Sequence, residues 1–363
     1  TSRAPLIDLV AYTTFRQHDV TRLSDADGRD LLRAVGVKGD DAALSRIVER
    51  WDGHALTLSL IGGVLRDLHG GDAAQIDAVP APTADESRYE RVKRVLRRYD
   101  EHLTEAERAF LLIFSAFRRP VREDAFGRVF RAPTAGMSLN APLIGIGDAR
   151  FDQLISSLIQ KRLLRVIAQG NDILLTIHPL VRSYYHQQLE ENDQIFKALS
   201  RAIADYYLLS ANVILKAPNP TLPQLSPAIE TVFHQNAAGL HWEAMNTYGL
   251  HLNRSNDRLI THRLGAYGTL LDVMRSFFPD GDFEQPPLYQ YENKTRRSIF
   301  NALSVAHSAL GMKHKSIVFE KRYIAENIEV KAWDEVEIGY MNLSDTLVDL
   351  GRLDDAQEAA VLA

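Results

Sequence analysis

The sequence predicts a mainly α chain. It has a helical subdomain, a second helical domain closed by a small β-hairpin wing, and then a degenerate array of helix pairs. Three observations carry this. Apolar residues recur at i, i+3, i+4 and i+7 through most of the chain. That period drops once, near residues 163–177, to short β-like runs around turn residues. Beyond about residue 195, glycines close helices at Gly239, Gly311 and Gly351.

Residues 1–22 read as a strand remnant and loop, and 23–68 as helices. Leu44, Ile47, Val48 and Trp51 share one helical face, and Asp52-Gly53 ends that helix because glycine takes the left-handed cap conformation. Leu58, Ile61, Leu65 and Leu68 follow at the same period, up to Gly70-Gly71. Residues 70–87, with Val79-Pro80-Ala81-Pro82, form the first linker. A basic amphipathic helix comes next, with Val92, Leu96, Tyr99 and Leu103 inward and Arg91, Lys93, Arg94, Arg97 and Arg98 among its charges. In an acidic chain this reads as a solvated face before an anion patch.

Thr104-Glu105-Ala106-Glu107 is a capping box, in which hydroxyl and carboxylate each take an orphan backbone N–H. It opens a helix through Phe110, Leu111, Phe114 and Phe117. Pro120 is read as starting a short second helix around Asp124-Ala125-Phe126, and 132–148 as a Pro/Gly/Ala insertion. A third helix carries Phe151, Leu154, Ile155, Leu158 and Ile159. Residues 163–167 and 173–177 then flank Gln169-Gly170-Asn171-Asp172 as a hairpin. Three helices and a two-stranded wing are the winged-helix order. The helix after it buries Val181, Tyr184, Tyr185 and Leu189.

In the last region each closing glycine is followed five positions on by a small residue: Ala244, Ser316 or Ala356. Glycine turns the chain and the small residue admits the next helix closely. Ala302-Leu303-Ser304 recurs as Asn342-Leu343-Ser344. The copy Asp349-Leu350-Gly351-Arg352-Leu353-Asp354-Asp355-Ala356 resembles the turn of tetratricopeptide (TPR) helix pairs. Domains are therefore expected at 1–22, 23–87, 88–192 and 193–363.

Composition bounds the function. The 363 residues carry a net charge of −5, so no global pull toward nucleic acid is expected. Cysteine is absent, which removes disulfides, thiolate metal sites and cysteine nucleophiles and fits a reducing, cytoplasmic setting. No apolar run is long enough to span a bilayer and no signal peptide is visible. The chain opens on Thr1-Ser2-Arg3 and ends at Leu362-Ala363 inside a helical pattern, so a longer parent protein is expected. No Gly-x-x-x-x-Gly-Lys-Ser/Thr loop, no His-Glu-x-x-His and no nucleophile elbow occurs. Neither a catalytic residue nor a metal ligand is assigned.

The order of parts over residues 1–190 resembles the STAND-class nucleotide switches in their NB-ARC form, on three short motifs. Thr1-Ser2-Arg3 resembles the end of the sensor strand that closes the family's nucleotide-binding domain, whose arginine faces the γ-phosphate. Gly53-His54-Ala55-Leu56 resembles the Gly-x-Pro-Leu motif that packs against adenine and ribose, with Ala55 in place of proline. His178, in Thr176-Ile177-His178-Pro179-Leu180-Val181-Arg182, matches the histidine of the Met-His-Asp motif, which bonds the ADP β-phosphate and holds the closed state.

The resemblance implies ADP/ATP with Mg in the full-length protein, a slow ATPase switch, and little or no nucleotide held by these residues alone. It also implies a TPR-like sensor of a protein or peptide at 193–363, with self-association on activation and no membrane contact. The plain readings stay open: a surface arginine, a helix–turn–helix link and a satisfied histidine at a strand–helix junction. So do a winged-helix DNA-binding regulator, reading with residues 149–162, and a helical protein-interaction scaffold.

Overall fold

A computed structural model describes residues 22–83, 87–134, 136–169, 172–254, 258–289 and 293–363. The expected strand remnant, Arg3, and the turn residues Gly170 and Asn171 lie outside these. The chain divides into two compact units. The first takes the described residues up to Ser115, with Arg119–Glu123 and Pro142–Gln188; the second takes Ala116–Arg118, Asp124–Ala141 and Leu189–Ala363.

The first unit opens with three helices, α1 (Asp25–Val35), α2 (Asp41–Arg50) and α3 (Ala55–His69). The Ser24 hydroxyl accepts the Asp27 N–H and the Asp40 carboxylate accepts the Ala43 N–H, so α1 and α2 start on side-chain caps. The predicted faces meet inside: Leu44, Ile47, Val48, Trp51, Leu58, Ile61 and Leu65 are all buried. Helix α4 (Arg88–Asp100) buries Val92, Leu96 and Tyr99. Lys93 lies 3.3 Å from Glu90 and Arg98 2.6 Å from Glu101, and of the five cations expected on a solvated face only Arg97 is exposed, Arg91, Lys93, Arg94 and Arg98 being half-buried.

Helix α5 (Glu105–Ala116) starts on the capping box: the Glu107 N–H donates to Thr104 Oγ1 at 3.2 Å, and the Thr104 N–H donates to Glu107 Oε2 at 3.0 Å. The other carboxylate oxygen, Oε1, accepts from the Ser157 hydroxyl at 2.6 Å and from the Lys161 ammonium, which ties the cap to helix α6 (Asp148–Gln160) and its end. Glu107 is 5% exposed. Burial pushes its carboxyl up, but the Lys161 and Ser157 bonds and the Thr104 N–H outweigh that and hold it below the usual carboxylate range.

The hairpin forms as β2 (Arg165–Gln169) and β3 (Asp172–Thr176), in the register Val166↔Leu175 and Ile167↔Leu174. A third strand, β1 (Val121–Arg122), pairs antiparallel with β3, so the sheet order is β1-β3-β2. Pro120 therefore leads into a strand, and the short helix begins only at residue 124. Proline fixes an extended entry as readily as a helical one, and β-branched Val121 finds a partner in Leu175. Helix α7 (Pro179–Glu190) follows.

The second unit is helical: α8 (Asp193–Leu215), α9 (Ser226–Ala237), α10 (His241–Thr247), α11 (Tyr267–Arg275), α12 (Asn293–Ala309), α13 (Lys313–Glu329), α14 (Trp333–Asp349) and α15 (Leu353–Leu362). Gly239, Gly311 and Gly351 all sit at positive φ where the chain turns, and Ala244, Ser316 and Ala356 are buried, as the helix-pair reading requires. The last four helices start at residues 293, 313, 333 and 353, a step of 20. The intermediate turn is made by Lys331 at φ 57. A helix pair thus takes 40 residues, longer than the roughly 34 of a tetratricopeptide unit. Ile317, Ile324, Val336, Leu343, Leu347, Ala356 and Ala359 form the core between α13, α14 and α15.

Candidate functional site

The first unit gathers the 53–56 motif and His178, which lie more than a hundred residues apart in sequence. Helix α2 unwinds through Asp52 and Gly53, both left-handed at φ 59 and 58. The Gly53 N–H loops back to the Val48 carbonyl at 2.9 Å, and the Gly53 carbonyl accepts the Leu23 N–H at 2.9 Å. A Cβ at Gly53 would lie 2.6 Å from the Leu23 carbonyl oxygen. The Asp52 carboxylate pairs with Arg22 and lies 3.6 Å from Arg91. His54, half-buried, takes the N-cap position of α3, with Nδ1 2.6 Å from the Thr57 hydroxyl. Ala55 is exposed at the first turn, and Leu56 is buried beneath it.

His178 follows buried Ile177 at the end of β3 and caps α7. Its Nδ1 accepts the Leu180 N–H at 3.2 Å, and its carbonyl accepts the Arg182 N–H at 2.9 Å. An acceptor Nδ1 puts the neutral ring's proton on Nε2, which becomes a donor. Burial lowers the His178 pKa, and the nearby Arg165 guanidinium and His54 ring lower it further. A neutral donor histidine, a second histidine and an arginine therefore share one neighbourhood. This donor set suits an anionic oxygen, such as that of a phosphate. Arg3 lies outside the described residues.

Arg165 was not among the predicted residues. The signal for it was present, since symmetric pairing outward from the turn sets Arg165 opposite Thr176, two residues before His178. On α6, the helix a DNA reader would insert, Lys161 is engaged with Glu107. Among the described residues no His/Asp/Glu group is arranged to hold a metal, and no helix is long and apolar enough to cross a membrane.

The burial of His178 and the positive charge beside it have a pH consequence. His178 is held below the ordinary histidine pKa of 6.5, so the stability it contributes is present above 6.5 and is lost as pH falls through its folded value. Ring ¹⁵N titration should give a midpoint under 6.5 and an unprotonated Nδ1. A midpoint above 6.5 would contradict the burial of the ring beside Arg165, and an Nδ1–H tautomer would contradict the capping geometry.

No family model matches the chain, and no curated protein does either. Among solved structures it is similar to a Signal Transduction ATPase with Numerous Domains (STAND) protein with a tetratricopeptide repeat sensor from Pyrococcus horikoshii, at 12% identity and a TM-score of 0.29. The match covers 93% of this chain and spans 59% of the length of that one.

Proposed function

We propose that residues 22–190 are the regulatory face of an ADP/ATP switch of the STAND, NB-ARC kind, and that the later helices bind a protein or peptide whose arrival drives self-association. The observation that supports this is that His54 and His178, whose motifs were assigned to the same nucleotide, lie in one compact unit within electrostatic reach of each other and that Arg165 is near His178. In this reading His178 Nε2–H latches the ADP β-phosphate, Arg165 adds positive potential, and the 53–56 turn lines the adenine and ribose. Ala55 leaves the base contact less rigid than a proline would. Mg²⁺ and the phosphate loop belong to a nucleotide-binding domain ahead of these residues, and activation is a shift between two packings of the domains around the nucleotide.

The test is ADP content and affinity in the full-length natural protein. Removing a hydrogen bond to a charged group costs about 1.5–3 kcal/mol, so His178→Ala should weaken ADP about tenfold or more. It should also raise basal self-association. Unchanged ADP affinity in a folded His178→Ala protein overturns the latch and leaves a helical interaction scaffold.

A further inference from the structure

His307, in the last turn of α12, is 3% exposed. Its Nδ1–H donates to the Leu303 carbonyl at 2.7 Å, since a carbonyl can only accept. The neutral ring therefore keeps its lone pair on Nε2. Among the described residues Nε2 has no hydrogen-bond partner, yet it is not sealed off by protein atoms. The ring lines a cavity of about 440 Å³, and Nε2 is open to it.

Two phenyl rings hold the imidazole in place. Phe319 on α13 stacks on it, with centroids 5.1 Å apart at 24°, and Phe283 meets it edge-on at 5.9 Å and 80°. Both rings also line the cavity. The Phe283 carbonyl accepts Arg322 Nη1–H at 2.7 Å, which pins the segment carrying Phe283 to α13. Arg275 and Lys315 stand at the same cavity. Burial lowers the His307 pKa, the Leu303 bond raises it, and the Lys315 and Arg275 charges lower it again.

This setting selects its occupant. A lone pair among aromatic walls favours a flat apolar group that carries a donor. With Arg275 and Lys315 alongside, the same group must also accept. A phenol does both, whereas an indole N–H only donates and a phenyl ring does neither. A second depression of about 690 Å³ shares Glu284 and Arg322 with the first and runs along Pro286, Pro287 and Phe300. It leaves room for the chain that flanks an inserted residue, which a free phenol would not use.

We propose that this cavity seats a tyrosine side chain of a protein partner, its hydroxyl donating to His307 Nε2. The proposal rests on the reading of these helices as a protein-binding surface and is independent of the nucleotide reading.

The experiment uses the whole chain with ¹⁵N-labelled histidine rings, the His307 signals being identified by their loss in His307→Gln. The probe is N-acetyl-tyrosine amide. The Nε2 resonance should start at its unprotonated position and move saturably, with a Kd of about 1 mM. The phenylalanine and O-methyltyrosine amides have no hydroxyl to donate and should bind about tenfold more weakly. Val318 is 48% exposed and lines the same cavity. Val318→Arg should close it and abolish the shift, so the test stands even if His307→Gln fails to fold. Equal affinity for the three probes, no saturable shift, or a shift kept in Val318→Arg would overturn the proposal. Such failures remove this seat alone. The partner reading fails separately, and takes the proposal with it, if the full-length natural protein shows no self-association in an extract of its own cells.

Discussion

Glu107→Ala is expected to destabilise the first unit by about 3–5 kcal/mol, because it breaks a buried ion pair and leaves the other charge behind. One carboxylate does two jobs: Oε2 closes the capping box on Thr104, and Oε1 takes Ser157 and Lys161 from α6 and its end. Truncation orphans the Thr104 N–H and strands the Lys161 ammonium, which is largely buried. Glu107→Gln can still reach the Thr104 N–H, so it should lose less, and the double change Glu107→Leu with Lys161→Leu less than Glu107→Ala. Urea unfolding followed by tryptophan emission reads this unit selectively. Trp51 is fully buried in it, whereas Trp242 and Trp333 are 46% and 60% exposed in the other. Because the folded Glu107 pKa lies below the ordinary 4.5, its contribution is present above 4.5 and lost as pH falls through the folded value. A Glu107→Ala chain with a wild-type urea midpoint would show that the pair contributes nothing.

Gly53→Ala is the second large effect, expected at about 2–4 kcal/mol from left-handed strain plus overpacking. The added methyl meets the Leu23 carbonyl, a backbone atom that cannot rotate away and that lies beside the Leu23 N–H bond to Gly53. Gly70 is the internal control. It has φ 61, but nothing lies within 4 Å of an added Cβ, so Gly70→Ala should lose only about 1–2 kcal/mol. The same urea titration compares the two. Equal losses would mean that the Leu23 contact is unimportant. A shifted Gly53 turn also moves His54, so the His178 ring titration should change in Gly53→Ala and stay put in Gly70→Ala.

Much of the fold was legible because local physics wrote it into neighbouring residues. The Thr104–Glu107 box, the Leu44-to-Trp51 face and the small residues five positions after each glycine are all short-range signals. The missed features depend on distant partners. Val121–Arg122 is too short to show an alternation, and its strand identity comes from Leu175 and Leu174 across the sheet. The turn at Lys331 hid because lysine holds a conformation usually given to glycine, so the sequence showed a 40-residue period and concealed the 20-residue step inside it. At the candidate site, His178 and the 53–56 motif were visible as text. Their placement in one unit, with Arg165 near His178, required the fold.

That 20-residue step also governs which insertions and deletions the array can absorb. Each helix from α12 to α15 occupies one step and packs on the next, and the turns between them alternate between glycine (Gly311, Gly351) and Lys331. Gain or loss of 40 residues returns every remaining helix to a neighbour of the kind it already packs against. Gain or loss of 20 swaps odd for even, so that a helix entered from a glycine turn takes the place of one entered from Lys331. The array can therefore lengthen or shorten between homologues only by whole pairs, and its binding surface would grow in the same increments.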